Sequence, residues 1–347
     1  MVYRKRSKVF HPSADKSTFE YNDSKPTKPD RGPPATMRTM PGMPRPVFTR
    51  SLLAPRHWAA WLGLGVVWLI AQLPYAALLW LGRRLGGLIL RVPSARRDIA
   101  ETNIALCFPE LDKAARRKLV DSNLRDLGLM LVEFALGWMG SEKKIASIPI
   151  VIEGLEHLEQ ARTNGQGVLL VGGHFSHLEL CARLVSQRIR ISGMYRKMDS
   201  AIFEWAVLRA RLDYATTMFD KDDLRGTVKY LRSGGTVWYA PDQDMRSKDS
   251  VFVPFFGIPA ATITATHHLA RMSGAVVIPF FHRRLPNNGG YVLRLGAALD
   301  NFPSTDALSD TARVNGCIEQ MVREAPEQYL WAHKRFKSRP EGQPTIY

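Results

Sequence analysis

The stretch Gly167-Val-Leu-Leu-Val-Gly-Gly-His-Phe-Ser-His-Leu-Glu179 carries the sharpest local signal in this 347-residue chain. Its four apolar residues 168–171 stand between glycines, a pattern typical of a strand that is buried on both faces. The glycine pair 172–173 permits a tight turn directly after that strand. The sequence therefore predicts His174 in the turn at the end of a central strand, with Glu179 in a following helix.

Strand and helix patterns alternate on both sides of this stretch. Helices are predicted over 95–107, 112–139, 153–163, 202–212, 223–232 and 262–273, and further strands over 189–194, 236–240, 276–282 and 291–295. Such alternation favours an α/β fold in which helices flank a mixed sheet. We assign residues 85–347 to this domain.

A basic tail and an apolar segment precede the domain. Residues 1–50 contain 11 Lys and Arg, 4 Asp and Glu and 8 Pro without apolar periodicity, so they are predicted to be a disordered tail. Residues Trp58–Leu81 carry no formal charge. As one helix they would span about 36 Å, more than the ~30 Å hydrocarbon core of a bilayer. We therefore predict a membrane anchor helix within 51–84; a buried core helix, or a hairpin bent at Pro74 within one leaflet, are the alternatives.

Charge and cysteine content narrow the classes of function. The formal net charge of +16 favours an anionic partner, which can be nucleic acid, an anionic membrane or an acidic carrier protein. The three cysteines, Cys107, Cys181 and Cys317, are widely spaced, which argues against a disulfide framework and fits a reducing compartment. Because no two of them form a C-x-x-C pair, no structural metal site is predicted.

His174 and Glu179 have the chemistry needed to activate an alcohol. A neutral imidazole can accept the proton of a hydroxyl as it attacks a thioester, and a carboxylate on the other ring nitrogen fixes the tautomer. We predict this contact between His174 and Glu179, with His177 as the competing base. The spacing H-x4-E is common by chance, so a purely structural histidine is the alternative. No G-x-S-x-G elbow is present, which disfavours a serine hydrolase.

Other polar residues stand where they could serve the same chemistry. Asp242 follows the predicted strand 236–240, a place where functional carboxylates often lie in α/β sheets; a turn or cap role is the alternative. Six cations in two segments can bind anionic groups, or else form solvated faces. Those of the first segment suit a phosphate or a developing oxyanion, and those of the second suit phosphate or lipid headgroups. The cations are Arg196, Arg209 and Arg211 in the first segment and Arg335, Lys337 and Arg339 in the second.

Several blocks in the same order make the chain resemble the lipid A biosynthesis lauroyl/myristoyl acyltransferase family. The blocks are Gly172–Glu179, Met194–Asp199, Trp238–Asp244, Ser250–Gly257, Leu269–Gly274 and His333–Gly342. The resemblance implies a glycerolipid-acyltransferase-like α/β fold with an N-terminal membrane helix. It also implies catalytic roles for His174, Glu179, Arg211 and Asp242, and no bound cofactor or metal. The chain departs from the family pattern at Lys197 and Gln243, and its tail 1–50 is not a family feature.

The same resemblance implies the reaction and its place in the cell. The expected donor is an acyl carrier protein thioester, and the expected acceptor is a hydroxyl of a lipid A precursor. The enzyme is expected at the cytoplasmic face of the bacterial inner membrane, in contact with anionic lipid and not with nucleic acid. A glycerophospholipid acyltransferase is the first alternative, although such enzymes commonly have Asp where this chain has Glu179. A non-catalytic protein that binds membranes or nucleic acid is the second.

Overall fold

The structure is a computed structural model that describes residues 42–245, 247 and 249–347. Most of the predicted tail, residues 1–41, lies outside the described residues. Its last part, residues 42–50, runs along the globular domain: the Met43 amide donates to the Met218 carbonyl at 2.8 Å, and Arg45 pairs with Asp213 at 2.6 Å.

The described residues form helices and strands that alternate as the sequence predicts. The helices are α1 (Trp58–Gln72), α2 (Tyr75–Ile89), α3 (Ala95–Cys107), α4 (Lys113–Met139), α5 (Glu142–Ala146), α6 (Leu155–Thr163), α7 (Leu178–Val185), α8 (Ala201–Tyr214), α9 (Leu224–Arg232), α10 (Ala265–Ser273) and α11 (Ala307–Glu324). The strands are β1 (Ile150–Glu153), β2 (Val168–Val171), β3 (Ser192–Tyr195), β4 (Met218–Asp220), β5 (Thr236–Tyr239), β6 (Ser250–Phe255), β7 (Ile258–Ile263), β8 (Val276–Arg284) and β9 (Tyr291–Leu295).

One mixed sheet in the order β1-β9-β8-β2-β5-β3-β4 forms the centre of the domain. Its neighbours are parallel except for β8 and β9, while β6 and β7 form a separate antiparallel hairpin. This confirms the predicted α/β class with helices on a mixed sheet. The predicted helix 262–273 begins later, at Ala265, because Thr262 and Ile263 complete the hairpin.

Strand β2 is central because both of its faces are covered. Leu169 and Val171 belong to the core on one side of the sheet, which includes residues of α3, α10 and α11. Val168 and Leu170 belong to the core on the other side, with residues of α4, α6 and α7. All four side chains are fully buried, as expected for the inner strand of a sheet with helices on both faces.

The sheet opens between β3 and β5. The two strands pair only at Ser192–Val237 and Gly193–Trp238, whereas β2 and β5 pair along all four residues. Met194 and Tyr195 remain paired with β4 on the other side. The ends of β3 and β5 therefore diverge at the carboxyl edge of the sheet, next to the loop that carries His174.

The predicted single membrane helix is wrong, because the chain bends at Pro74. Leu73 has ψ 146°, an extended value that the following proline favours, so two helices of 15 residues replace one. Helix α2 packs tightly on α4: a Cβ atom on Gly128 would lie 2.1 Å from the Gly86 nitrogen. Within the described part of the chain, no helix combines the length and apolar character that crossing a bilayer requires.

Candidate active site

His174 lies in the loop between β2 and α7, where Asp242 binds it twice. The His174 amide donates to Asp242 Oδ2 at 2.8 Å, and His174 Nδ1 lies 2.6 Å from Asp242 Oδ1. Asp242 follows β5, the parallel neighbour of β2, so the two carboxyl ends meet at one edge of the sheet. Gly172 allows the start of this loop to lie close against β8, since a Cβ there would lie 2.6 Å from the Phe280 carbonyl oxygen.

Asp242 is a buried, ionised carboxylate. Burial opposes its ionisation, but the charge and hydrogen bonds of His174 outweigh this and lower the pKa of Asp242 to about 2. Tyr329 also donates its hydroxyl to Asp242 Oδ2, at 2.9 Å. Conversely, burial lowers the pKa of His174, but the charge and hydrogen bond of Asp242 outweigh it, so the net direction is upward. His174 and Asp242 thus form a hydrogen-bonded pair of an imidazole and a buried carboxylate.

The predicted contact between His174 and Glu179 is not what the structure shows. Glu179 Oε2 accepts from Trp138 Nε1 at 2.8 Å and from Arg211 Nε at 3.3 Å, and its other oxygen accepts from Arg211 Nη2. Because α7 begins only at Leu178, Glu179 is in its first turn and faces α4 and α8. The orienting position on the imidazole is occupied by Asp242.

A cavity of about 940 Å³ borders His174 and also the pair formed by Glu179 and Arg211. Its lining includes His174, Glu179 and Arg211, together with Gly193, Met194 and Tyr195 where β3 leaves β5. Apolar side chains such as Phe134, Ala182, Val185 and Met218 form part of the wall, whereas Lys221, Asp222, Asp249 and His268 contribute polar groups. The cavity can therefore accept a molecule that has an apolar chain and a polar part.

A model of the bacterial lipid A biosynthesis acyltransferase family matches residues 45–338. The chain belongs to this family. It is therefore an acyltransferase, and the resemblance noted in the sequence is confirmed. The chain is 43% identical over 303 residues to a lipid A biosynthesis lauroyltransferase of Escherichia coli, covering 87% of this chain and 99% of the relative. It is 38% identical over 305 residues to a palmitoleoyltransferase of the same pathway and organism, covering 88% and 99%.

One solved structure was also similar at a low level. It is the 1-acyl-sn-glycerophosphate (LPA) acyltransferase PlsC from Thermotoga maritima, with 13% sequence identity and a TM-score of 0.34. The alignment covers 66% of this acyltransferase and 98% of that chain. A similarity this low supports no conclusion about the acyltransferase.

Of the five cations predicted to bind substrate, one lies at the cavity in the structure. Arg196 lines it with a side chain that is 74% exposed. Arg209 stacks on Trp205 at the surface, and Lys337 is exposed elsewhere. The structure corrects the prediction that Arg335 binds substrate. This residue is 1% exposed and donates to the Ala261 carbonyl and to Thr262 Oγ1, both at 2.7 Å.

The remaining cation and one unpredicted residue have clear structural contacts. Arg339 donates to the Pro259 carbonyl at 2.9 Å and so contacts β7 rather than the cavity.

Tyr329, which binds Asp242, was not predicted from the sequence. Its segment runs beside the active-site loop, since the Leu330 amide donates to the His174 carbonyl at 2.9 Å. Tyr329 is 87 positions from Asp242, and no local spacing connects the two.

Proposed function

We propose that this acyltransferase moves a fatty acyl group from an acyl carrier protein thioester to a hydroxyl of a lipid A precursor. The observation that carries the proposal is the imidazole of His174 at a large cavity, oriented by a buried carboxylate. Since Nδ1 is bound to Asp242, Nε2 is the nitrogen left to accept the proton of the acceptor hydroxyl. The hydroxyl oxygen attacks the thioester carbonyl, and the thiol leaves with that proton.

Glu179 has a different part in this proposal from the one the sequence suggested. It neutralises Arg211 and holds the guanidinium at the cavity wall, with the Tyr195 ring 5.1 Å from the guanidinium carbon. A guanidinium held in this way can stabilise the oxyanion of the tetrahedral intermediate or bind a phosphate of the acceptor. Arg211 would then contact substrate, and Glu179 would be a positioning residue.

The choice of substrates rests on the family and on charge. The family and both relatives above are described by lipid A biosynthesis, which favours a lipid A precursor over a glycerophospholipid acceptor. The net charge of +16 suits both an acidic carrier protein and a phosphorylated lipid. The lauroyl- and palmitoleoyltransferase names of the relatives differ in the acyl group, so the family alone does not set chain length.

Helix α1 is the proposed contact with the membrane, at the cytoplasmic face of the inner membrane. Leu62, Trp68 and Leu69 on this helix are more than half exposed, at 73%, 53% and 59%. Apolar side chains in that number gain free energy when they enter the boundary of a lipid leaflet, without any need to span it. Arg83 and Arg84 follow on α2 and can approach anionic headgroups.

The proposal is tested by purified enzyme with two donors and two acceptors. We expect transfer from an acyl carrier protein thioester to a lipid A precursor, seen by mass spectrometry as one added acyl mass. Transfer from acyl-coenzyme A, or to lysophosphatidic acid, should be at least about ten-fold slower. Preferred transfer to lysophosphatidic acid would contradict the proposed acceptor, and equal rates from both donors would contradict the proposed carrier.

A further inference from the structure

Three potential metal ligands lie together beneath the loop that carries His174. His177 precedes α7, Cys181 lies one helical turn later, and His282 is near the end of β8. The Cys181 amide donates to the His177 carbonyl at 2.9 Å, which places their side chains on one side of the helix. One ring nitrogen of each histidine and the Cys181 sulfur all lie within 4.8 Å of one another.

These three side chains are buried, and one ring nitrogen of each histidine is left without a hydrogen-bond partner. His177, Cys181 and His282 are no more than 1% exposed. Among the described residues, neither His177 Nε2 nor His282 Nδ1 makes a hydrogen bond of normal geometry. Leaving such nitrogens unpaired in a core is destabilising. An ion that accepts their lone pairs would remove this cost.

We propose that His177, Cys181 and His282 bind one Zn²⁺ ion. Two imidazoles and a thiolate are a ligand set that suits zinc, which prefers nitrogen and sulfur. Zn–N bonds of about 2.0 Å and a Zn–S bond of about 2.3 Å bring tetrahedral ligands to within about 3.3–3.7 Å, so the three side chains need to close by roughly 1 Å. The ion connects the start of α7 to β8 and holds the intervening His174 loop; it is not a participant in acyl transfer.

The test is metal content and cobalt spectroscopy on the full chain, purified in detergent without a metal-affinity tag. We expect about one zinc per chain, retained in Cys107→Ala/Cys317→Ala and reduced at least about five-fold in Cys181→Ser and in His282→Gln. Cobalt added to the chelator-treated double variant should give a thiolate-to-cobalt charge-transfer band. Cys181 is the only cysteine left in that protein, so the band needs no folded Cys181 variant for its assignment.

Two results would overturn the zinc proposal, and neither depends on acyl transfer. One is wild-type protein that holds less than about a tenth of an equivalent of zinc and gives no cobalt–thiolate band. The other is zinc that stays at the wild-type level in folded Cys181→Ser, which would place the metal elsewhere. The cluster would then be a pair of neutral histidines packed in the core.

Discussion

The two buried carboxylates of the candidate site, Asp242 and Glu179, have opposite kinds of partner. Asp242 binds an imidazole and a phenol, and the pKa of the imidazole is raised in return. Glu179 binds a guanidinium and an indole, neither of which exchanges protons near neutral pH. Two acids at one site are therefore suited to different work: one sets the protonation of the base, and the other fixes a permanent positive charge.

Removing the base should have the largest effect. His174→Ala is expected to reduce kcat by roughly 10²–10⁴-fold, the usual contribution of a general base. Thermal unfolding should show that the variant is folded. His157→Ala, on α6 away from the cavity, is the matched control and should keep wild-type activity. Near wild-type transfer by folded His174→Ala would remove His174 from the mechanism.

Asp242→Asn should come next, with a loss of about 10²–10³-fold and a changed pH profile. The base works when neutral, so kcat/KM rises with pH through the pKa of His174. Because Asp242 raises that pKa, the asparagine variant should shift the acidic limb to lower pH. Asp310→Asn is the control, since it breaks another buried pair, His267 Nδ1 to Asp310 Oδ2 at 2.8 Å, away from the cavity. An unshifted limb in Asp242→Asn would separate Asp242 from the base.

Glu179→Gln should lose less activity, about ten-fold, but more stability. Arg211 would remain largely buried without its counter-ion, at a cost on the order of 3 kcal/mol in the free energy of unfolding. The pH profile should keep its wild-type acidic limb. Glu142→Gln is the control: Glu142 is 80% exposed, and its buried partner Arg183 keeps its hydrogen bonds to the Gly137 and Gly140 carbonyls, so less stability should be lost. A shifted limb in Glu179→Gln would return Glu179 to the role predicted from sequence.

The smallest effect is expected for Tyr329→Phe. Loss of one hydrogen bond to Asp242 should lower kcat about five-fold, near the net worth of a single hydrogen bond. Asp242 would keep its contacts with His174. Steady-state kinetics measure this difference, and a loss as large as that of Asp242→Asn would show that the phenol has a more direct part in the reaction.

The sequence predicted the strand and the helix on either side of His174, but not which carboxylate binds its imidazole. The apolar run 168–171 and the glycines after it were enough to place His174 at the end of a buried strand. The partner of His174 is 68 positions away and depends on β5 lying beside β2, an adjacency that no local pattern contains. Glu179 was close in sequence, but the start of α7 turned it toward Arg211.

Three other features of the structure were not predicted from the sequence patterns. The length of the uncharged segment predicted one membrane helix. The backbone restriction at Pro74 instead divides it into two helices, and the close glycine contact packs α2 against α4. Cysteine spacing gave no indication of the cluster of His177, Cys181 and His282, because these residues come together only through the fold. Arg335 belonged to a basic block in the sequence, yet its guanidinium supports the β7 backbone in the core.

The divergence of β3 from β5 means that the cavity is made by the backbone and not by small core side chains. A Cβ at Gly193 would lie 3.1 Å from the end of Met218, a flexible side chain that also lines the wall. Side chains can therefore change at Gly193 and Met218 without altering the two large cores on the faces of the sheet, to which neither residue belongs. At these two positions the volume of the cavity and the thermal stability of the protein are properties that can vary separately.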